Sequence, residues 1–444
     1  MDNARKIATD ILVEVFEKKA YSNIVLGYEL NKSNLNEKDK ALVTEVVYGT
    51  IKYKYSIDKI LKHFLEKNFE KTDKFILNLL RITIYQIRYL DKVPEFAAVN
   101  EAVNIAKKKV SLGASKLVNG VVRNYIRNKN LQYWKEGSIF EELAFKYSYP
   151  QWIIKLFVEQ YDLEICEKIL SGLNERPGVT VRVNSFKGNY EDVFAELEKN
   201  SYTVEDGYVC PEAIKILKGR NIEENPLFKA GYITVQDESA MLVAPAMDLK
   251  ENITVLDLCS APGGKTTHIG ELMNNTGTVF AYDIYTHKLE LIKENINRLG
   301  LSNIELDILD ATNFEEKLVN KGDRILIDVP CSGLGIIRKK PEIKYNKNIK
   351  ELKEIVKIQR KIMENAAKYV KEKGVLLYST CTLNKEENEG NIKWFLKEFP
   401  EFKLEPLYFG AVENIIYHKE GYVSILPNEY MDGFFIAKFI KISR

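Results

Sequence analysis

In TVLDLCSAPGGKTT, residues 254–267, an apolar strand runs into a glycine-bearing turn and then into the start of a helix. From about residue 231 onward, strand and helix patterns alternate. The strand candidates are 254–258, 278–282, 304–306, 325–327 and 375–378, and the helix candidates are 264–273, 286–299, 350–371 and 385–398. This alternation predicts a doubly wound, Rossmann-like α/β domain with a largely parallel sheet over residues 231–444.

The turn at the end of the first strand has the layout of a nucleotide-type site. Glycines let the backbone approach a ligand, and a helix N-terminus favours a negative group. A P-loop would need glycine at position 259, which is Cys259, and the dinucleotide fingerprint is also absent. Asp283 follows Gly264 by 19 residues, the spacing at which an acidic residue holds a ribose diol. S-adenosylmethionine is therefore the first choice of cofactor, and a plain tight turn with a surface aspartate is the alternative.

Two cysteines follow the fourth and fifth predicted strands. Cys331 lies in DVPCSG and Cys381 in YSTCT, 50 residues apart. A buried cysteine is usually an inert small hydrophobe, but an α/β enzyme carries its reacting groups at such loop onsets. The spacing does not suit a metal site, and we expect no metal, whereas a redox pair stays open. Cys166 and Cys210 lack this placement and are expected to be structural.

The remainder of the chain suggests two further domains. Residues 1–130 show one helical apolar pattern after another, with Asn36 as a candidate N-cap, and predict an all-α bundle. Residues 131–230 mix helical patterns with short strand candidates and predict a small α+β domain.

Charge is unevenly spread along these 444 residues. Residues 1–130 hold 24 Lys and Arg against 15 Asp and Glu, although the whole chain carries only +2. This surplus hints at a surface that faces nucleic acid, or at lysines that serve solubility alone.

Overall composition limits the class of protein. Hydrophobic residues make up 45% and charged residues 29%, which excludes a disordered chain. Five cysteines in 444 residues favour a reducing compartment. The start of the chain is polar, and no apolar run approaches the roughly 18 residues that span a bilayer. We expect a cytoplasmic protein without a membrane partner.

The motifs CSAPGGK at 259–265, DVPCS at 328–332 and STCT at 379–382 resemble those of RNA cytosine-C5 methyltransferases. Within that class the whole chain resembles the bacterial RsmB (Sun/Fmu) family, which acts on 16S ribosomal RNA. An N-terminal domain similar to the antitermination factor NusB and the stretch QDESA at 236–240 fit the same family. The resemblance implies an RNA-binding NusB-like domain at 1–130, a linker or RNA-binding domain at 131–230 and a class I methyltransferase domain at 231–444.

The resemblance also implies roles for individual residues. Cys381 would be the nucleophile, Cys331 would assist product release, and Asp328 would contact the cytosine and lie beside the cofactor. Asp283 would hold the cofactor ribose, and Asp310 would lie near the adenine. The remaining cofactor-binding candidates form the turn: Cys259, Ser260, Ala261, Pro262, Gly263, Gly264 and Lys265.

Several alternatives stay open. The residues alone do not decide which cysteine is the nucleophile, because DNA cytosine methyltransferases use the Pro-Cys cysteine. Lys265 could meet a cofactor carboxylate or be solvated, and the basic run Arg338–Lys340 could hold phosphates or be solvated. The substrate could be transfer RNA or 23S ribosomal RNA, and a non-catalytic RNA-binding factor is a rival of a different class. The sequence is compatible with a monomer but does not determine the oligomeric state.

Overall fold

The structure, a computed structural model, describes residues 3–442. The chain forms two compact units. The first comprises the residues up to Cys166 together with Ile337–Lys347, and the second comprises Glu167–Ile336 and the residues from Asn348 onward. The three-domain boundaries expected from the sequence stay a prediction. Within residues 3–442, no helix is both long and apolar enough to cross a membrane.

The first unit is helical, as the apolar patterns predict. Its helices are α1 (Ala4–Glu17), α2 (Ser22–Lys32), α3 (Glu37–Leu65), α4 (Lys74–Tyr89), α5 (Glu95–Lys109), α6 (Leu112–Arg127), α7 (Ile139–Tyr147) and α8 (Gln151–Tyr161), with a 3-10 turn at Glu66–Asn68. Helix α9 (Leu163–Gly172) leads into the second unit. The predicted N-cap is confirmed, because the Asn36 side chain accepts a hydrogen bond from the Asp39 N–H at the start of α3.

A short segment from the second half of the chain completes the first unit. Within Ile337–Lys347, the buried Lys344 Nζ donates to the carbonyl oxygens of Lys52 (2.6 Å) and Ser148 (2.9 Å). Burial holds the pKa of Lys344 well below its usual range. The buried Glu342 carboxylate accepts from the Ser22 N–H and hydroxyl at 3.2 and 2.9 Å, so it caps the N-terminus of α2.

The second unit begins with a four-stranded antiparallel sheet. The strands are β1 (Val179–Val183), β2 (Thr203–Asp206), β3 (Ala213–Lys218) and β4 (Ile233–Val235), and the helices beside them are α10 (Tyr190–Lys199), α11 (Pro226–Lys229) and α12 (Glu238–Met241). The strand order is β2-β3-β1-β4. This confirms the predicted α+β character of the middle segment.

A larger sheet follows and contains the predicted parallel strands. They are β5 (Thr254–Asp257), β6 (Thr278–Asp283), β7 (Ile304–Ile308), β8 (Gly322–Asp328) and β9 (Val370–Thr380), in the spatial order β9-β8-β5-β6-β7. The helices of this region are α13 (Gly264–Leu272), α14 (Thr286–Leu299), α15 (Ile343–Asn346, within the first unit), α16 (Ile349–Tyr369) and α17 (Glu389–Glu398). Short 3-10 turns occupy Ile222–Glu224, Pro245–Met247 and Glu316–Leu318.

Four antiparallel strands extend this sheet beyond β9. The sequence patterns did not indicate these four strands. They are β10 (Phe402–Leu404), β11 (Ile415–Tyr417), β12 (Val423–Ile425) and β13 (Phe434–Lys441). Strand β13 pairs with β9 along Phe435–Ile440, so β9 is a central strand rather than an edge. Within residues 3–442 the sheet has nine strands, and β9, which ends directly before Cys381, pairs with the parallel strand β8 on one side and the antiparallel strand β13 on the other.

Candidate active site

The parallel strands bring the predicted site residues to one edge of the large sheet. Asp257 ends β5, Asp283 ends β6, Asp328 ends β8 and Thr380 ends β9. Because parallel strands share one carboxyl edge, the loops that follow them lie next to each other. The register pairs Asp328 with Ser379, so the two cysteine loops leave neighbouring strands at the same level.

The two cysteines meet at this edge. The Sγ atoms of Cys331 and Cys381 lie 3.2 Å apart, within hydrogen-bonding distance, and both residues are half-buried. The hydrogen bond to Cys381 and burial raise the pKa of the Cys331 thiol well above its usual value, and nearby negative groups add to the effect. Cys331 is therefore held as a thiol that can donate a hydrogen bond to its neighbour.

Asp328 links the turn at residues 259–265, called here the cofactor turn, to the strand that precedes Cys381. Its Oδ2 accepts from Lys265 Nζ at 2.7 Å, and its Oδ1 accepts from the Ser379 hydroxyl at 2.7 Å. Burial alone would lower the pKa of Lys265, but the Asp328 carboxylate outweighs this effect and the pKa is raised. Lys265 is thus an ion-paired ammonium rather than a solvated side chain.

The backbone of the cofactor turn requires a glycine at position 263. Gly263 adopts φ +99°, and a Cβ there would lie 3.0 Å from Ile292 Cγ2. Helix α13 begins directly afterwards, and no described side chain caps its N-terminus. The first N–H groups of α13 can thus bind a carboxylate such as the one S-adenosylmethionine carries.

Asp257, to which the sequence analysis gave no role, bonds to the helix that follows this turn. It is buried at the end of β5, and its Oδ2 accepts from the Thr266 hydroxyl in α13 at 2.7 Å. Burial raises the pKa of Asp257 to about 7, with Thr266 opposing and Asp328 adding to the shift. Protonation of Asp257 near neutral pH would remove a negative charge next to the cofactor turn.

The other two cofactor candidates are carboxylates near the ends of β6 and β7. Asp283 is buried and accepts from the Tyr285 N–H at 3.2 Å, and the next residue, Ile284, is 48% exposed. A carboxylate beside an exposed apolar side chain suits a ribose with an attached base. Asp310 lies in the loop after β7, where its Oδ1 accepts from the Thr312 N–H and hydroxyl at 3.0 and 2.6 Å. Together with the α13 N-terminus, these residues fit S-adenosylmethionine.

A buried arginine ties the small sheet to the helix that follows the cofactor turn. Arg182 in β1 donates to the Gly264 carbonyl at 2.9 Å and to the Glu271 carboxylate at 2.7 Å, and it also contacts Gln236. Gln236 opens the QDESA stretch, in which Glu238 accepts three main-chain N–H groups from Tyr208, Val209 and Cys210. The stretch singled out in the sequence is thus a structural junction beside the cofactor turn.

The basic run after Cys331 is less available than the sequence suggested. Arg338 is 6% exposed, Lys339 is half-buried and Lys340 is exposed. The segment that contains them belongs to the first unit. In the part of the chain that the structure describes, no group of three His, Cys, Asp or Glu side chains could hold a metal ion.

Family models match three successive parts of the chain. Residues 2–127 match the NusB family, residues 149–223 match the ferredoxin-like domain of the RsmF/B-like methyltransferases, and residues 244–440 match the 16S rRNA methyltransferase RsmB/F family. The order agrees with the helical, α+β and Rossmann-like parts described above, and it confirms the predicted fold class.

A full-length relative decides the family. The chain is 38% identical over 445 residues to the probable ribosomal RNA small subunit methyltransferase B of Bacillus subtilis, with 99% of each chain covered. The chain belongs to the ribosomal RNA small subunit methyltransferase B family. It is also 33% identical to the enzyme of that name from Proteus mirabilis, with 98% of each chain covered. A crystal structure titled PH0851 covers 99% of both chains at a TM-score of 0.84 and 28% identity.

Membership in the methyltransferase B family identifies the methyl donor. The protein is an S-adenosylmethionine-dependent methyltransferase, and the cofactor predicted from the turn and Asp283 is confirmed. The roles of individual residues remain proposals, which the geometry above supports. The sequence analysis gave no role to Asp257, which ends the strand before the turn, or to Glu387, a buried carboxylate six residues after Cys381.

Proposed function

We propose that the protein methylates C5 of a cytosine in 16S ribosomal RNA through a covalent bond between Cys381 and C6. The observation that carries this proposal is the 3.2 Å contact between the Cys331 and Cys381 sulfur atoms, beside Asp328 on the adjacent strand. The ribosomal substrate is supported by the relatives, which are named ribosomal RNA small subunit methyltransferases.

The need for a thiol follows from the reactivity of cytosine. C5 is too weak a nucleophile to take a methyl group unaided, and covalent addition at C6 makes C5 enamine-like. In the proposed reaction, Cys381 adds to C6 as a thiolate and the C5–C6 π electrons move toward C5. A proton from water then neutralises the charge at N3, the Asp328 carboxylate accepts a hydrogen bond from this N3–H group, and the proton returns to water when Cys381 leaves.

The cofactor would be held by the residues at the carboxyl edge. The N-terminus of α13 binds its carboxylate, Asp283 its ribose and the loop of Asp310 the adenine side. S-adenosylmethionine supplies an electrophilic methyl group when bound. The Lys265–Asp328 ion pair connects the cofactor turn to the cytosine site.

Product release is assigned to Cys331. After methylation, the C5 proton passes to water, the C5–C6 double bond forms again and the bond from C6 to Cys381 breaks. The Cys331 thiol donates a hydrogen bond to the departing sulfur, since its raised pKa keeps it protonated. Cys381 leaves as a thiolate and the site returns to its starting state.

The helical N-terminal part is proposed to contact RNA. Tyr21, directly before α2, and Ile24 and Tyr28 within it are 58%, 64% and 64% exposed. Lys19 and Lys32 beside them are exposed too. Exposed tyrosines flanked by lysines suit stacking with single-stranded bases and contact with phosphates.

Bisulfite sequencing tests the substrate and the modified atom together. Purified protein and S-adenosylmethionine are incubated with deproteinised 16S RNA, 23S RNA and transfer RNA, and each product is compared with a mock reaction. We expect one new bisulfite-resistant cytosine in 16S RNA. Bisulfite resistance only in 23S RNA or transfer RNA would contradict 16S RNA as the substrate. No resistance in any RNA, together with tight RNA binding, would favour a non-catalytic RNA-binding factor.

A further inference from the structure

A fully buried carboxylate in the Cys381 loop, which the proposed reaction does not use, bonds to the Cys331 loop. Glu387 Oε2 accepts from the Ser332 N–H at 2.9 Å, directly after Cys331. Glu387 Oε1 accepts from Asn384 Nδ2 at 3.0 Å, three residues after Cys381. One carboxylate is therefore bonded to both loops.

Two helices hold Glu387, α16 through its carboxylate and α17 through its main-chain carbonyl. Gln359 in α16 donates to Glu387 Oε2 at 2.9 Å and to the Pro330 carbonyl at 3.0 Å. Asn391 in α17 donates to Gln359 Oε1 at 2.8 Å and to the Glu387 carbonyl at 2.9 Å. Glu387 lies between the end of β9 at Thr380 and the start of α17 at Glu389, so its buried carboxylate reaches from the Cys381 loop to the Cys331 loop and to α16.

The groups that bond to the Glu387 carboxylate require a partner that only accepts hydrogen bonds. The Ser332 N–H and the NH₂ groups of Gln359 and Asn384 are all donors, and an ionised carboxylate only accepts. A glutamine at 387 would direct its own NH₂ toward one of these donors. An amide of nearly the same shape would therefore leave buried donors unpaired.

We propose that Glu387 is a positioning residue that holds the Cys331 and Cys381 loops at the separation where their sulfur atoms touch. The proposal rests on the proposed function, in which these two cysteines are the reacting groups. A direct bond between the hydroxyls of Ser332 and Thr382, at 2.7 Å, joins the loops at a second point. Unlike these two hydroxyl groups, the Glu387 carboxylate places a negative charge close to Cys331.

That charge gives the proposal a readout that packing alone would not change. The hydrogen bond to Cys381 and burial raise the pKa of Cys331 most, and Glu387 and Asp328 add to the rise. Tyr378 also faces Cys331, and Lys265 faces Cys381. Removal of the Glu387 charge should therefore lower the pKa of Cys331.

The test compares Glu387→Gln with Glu386→Gln in the full-length, reduced protein. Glu386 is adjacent and exposed, so its variant has the same change in charge without the buried bonds. The first measurement is the rate at which diamide oxidises the two thiols to a Cys331–Cys381 disulfide, followed by mass spectrometry at pH values that give each variant the same fraction of Cys331 thiolate. We expect Glu387→Gln to be slower by about tenfold or more, and Glu386→Gln to match the wild type.

The second measurement is the pH midpoint of Cys331 alkylation by iodoacetamide. We expect this midpoint to fall in Glu387→Gln and to stay unchanged in Glu386→Gln. A third variant, Asn384→Ala, guards against a folding defect, because it removes a bond to the Cys381 loop and keeps the charge. It should slow disulfide formation, and because it keeps the Glu387 charge, its alkylation midpoint should fall less than that of Glu387→Gln.

Wild-type oxidation rates and an unchanged midpoint in Glu387→Gln would overturn the proposal. If Glu387→Gln fails to fold, a wild-type oxidation rate in Asn384→Ala would overturn it instead. Neither measurement uses RNA or S-adenosylmethionine, so the result is independent of whether a cytosine is methylated. Failure of the proposed function would appear only in the bisulfite experiment.

Discussion

Lys265 Nζ lies 2.7 Å from Asp328 Oδ2, so the residue after the cofactor-turn glycines is paired with the residue that opens the Cys331 loop. The two positions are 63 residues apart. Asp328 also accepts from Ser379 on the strand that leads to Cys381. Through these contacts, three segments that the proposed reaction needs share a single carboxylate.

Lys265→Met should separate the cofactor turn from Asp328. A hydrogen bond to a charged group contributes about 1.5–3 kcal/mol, so we expect a loss of roughly tenfold to a hundredfold in methyl transfer. Tritiated methyl incorporation into 16S RNA measures the loss, and calorimetry measures binding of S-adenosylmethionine. Lys371→Met is the matched control. It breaks a 2.9 Å ion pair with Asp323, and this pair does not involve the proposed reacting groups. Equal losses in both variants would contradict a role for Lys265 in the site.

The carboxyl-edge residues were predictable because local patterns identify them. The apolar run that ends at Asp257 and the glycines after it predict a strand, a turn and a helix, and the structure has α13 beginning at Gly264. Asp328 and Cys381 follow strands in the same way. Each prediction needed only the rule that parallel strands end at one edge.

The missing parts depend on contacts between distant residues. Strand β13 is recognisable only through its pairing with β9, and Glu342 caps α2 from 320 positions away. The helix predicted at 385–398 begins at Glu389, because Asn384 bonds to the Glu387 carboxylate and Asn388 bonds to the Thr382 carbonyl before it. No local periodicity encodes these partners, so the role of Glu387 and the place of residues 337–347 could not be predicted.

Glu271→Ala should destabilise the second unit by leaving Arg182 without its carboxylate. The side chains of Arg182 and Glu271 are 1% and 2% exposed. Removal of one partner from a buried ion pair costs about 3–5 kcal/mol. Lys199→Ala is the control, because its ion pair with Glu196 is exposed and should contribute less than about 1 kcal/mol. Urea denaturation of both variants measures the difference, and equal midpoints would exclude the predicted effect.

Asp257 should make stability decrease as pH rises. Its pKa is about 7 in the folded protein, whereas the ordinary pKa of an aspartate is 3.8, so the folded state binds more protons than the unfolded chain between these values. The free energy of unfolding should therefore fall between about pH 4 and 7 by an amount that Asp257→Asn lacks. Denaturation at pH 5, 6, 7 and 8 measures the difference between wild type and variant. Parallel pH profiles would show that Asp257 does not titrate in this range.

Cys381→Ala should abolish methyl transfer and leave binding of S-adenosylmethionine largely unchanged, because the cofactor candidates lie on other loops. Incorporation of tritiated methyl groups into 16S RNA and calorimetric titration measure the two effects. Cys166→Ala, in helix α9, is the control and should keep its activity. Near-normal turnover by Cys381→Ala would remove Cys381 from the role of nucleophile.

Cys331→Ala should trap the covalent intermediate between protein and RNA. Without the Cys331 thiol, the sulfur of Cys381 loses the hydrogen-bond donor that lies 3.2 Å away, so its departure from C6 becomes slow while its addition still proceeds. We expect a band of protein bound to RNA that survives denaturing electrophoresis and requires S-adenosylmethionine for full yield. The double variant with Cys381→Ala should lack this band. A band that appears in Cys381→Ala and disappears in Cys331→Ala would reverse the two assignments, because the residue required for the adduct is the one that forms it.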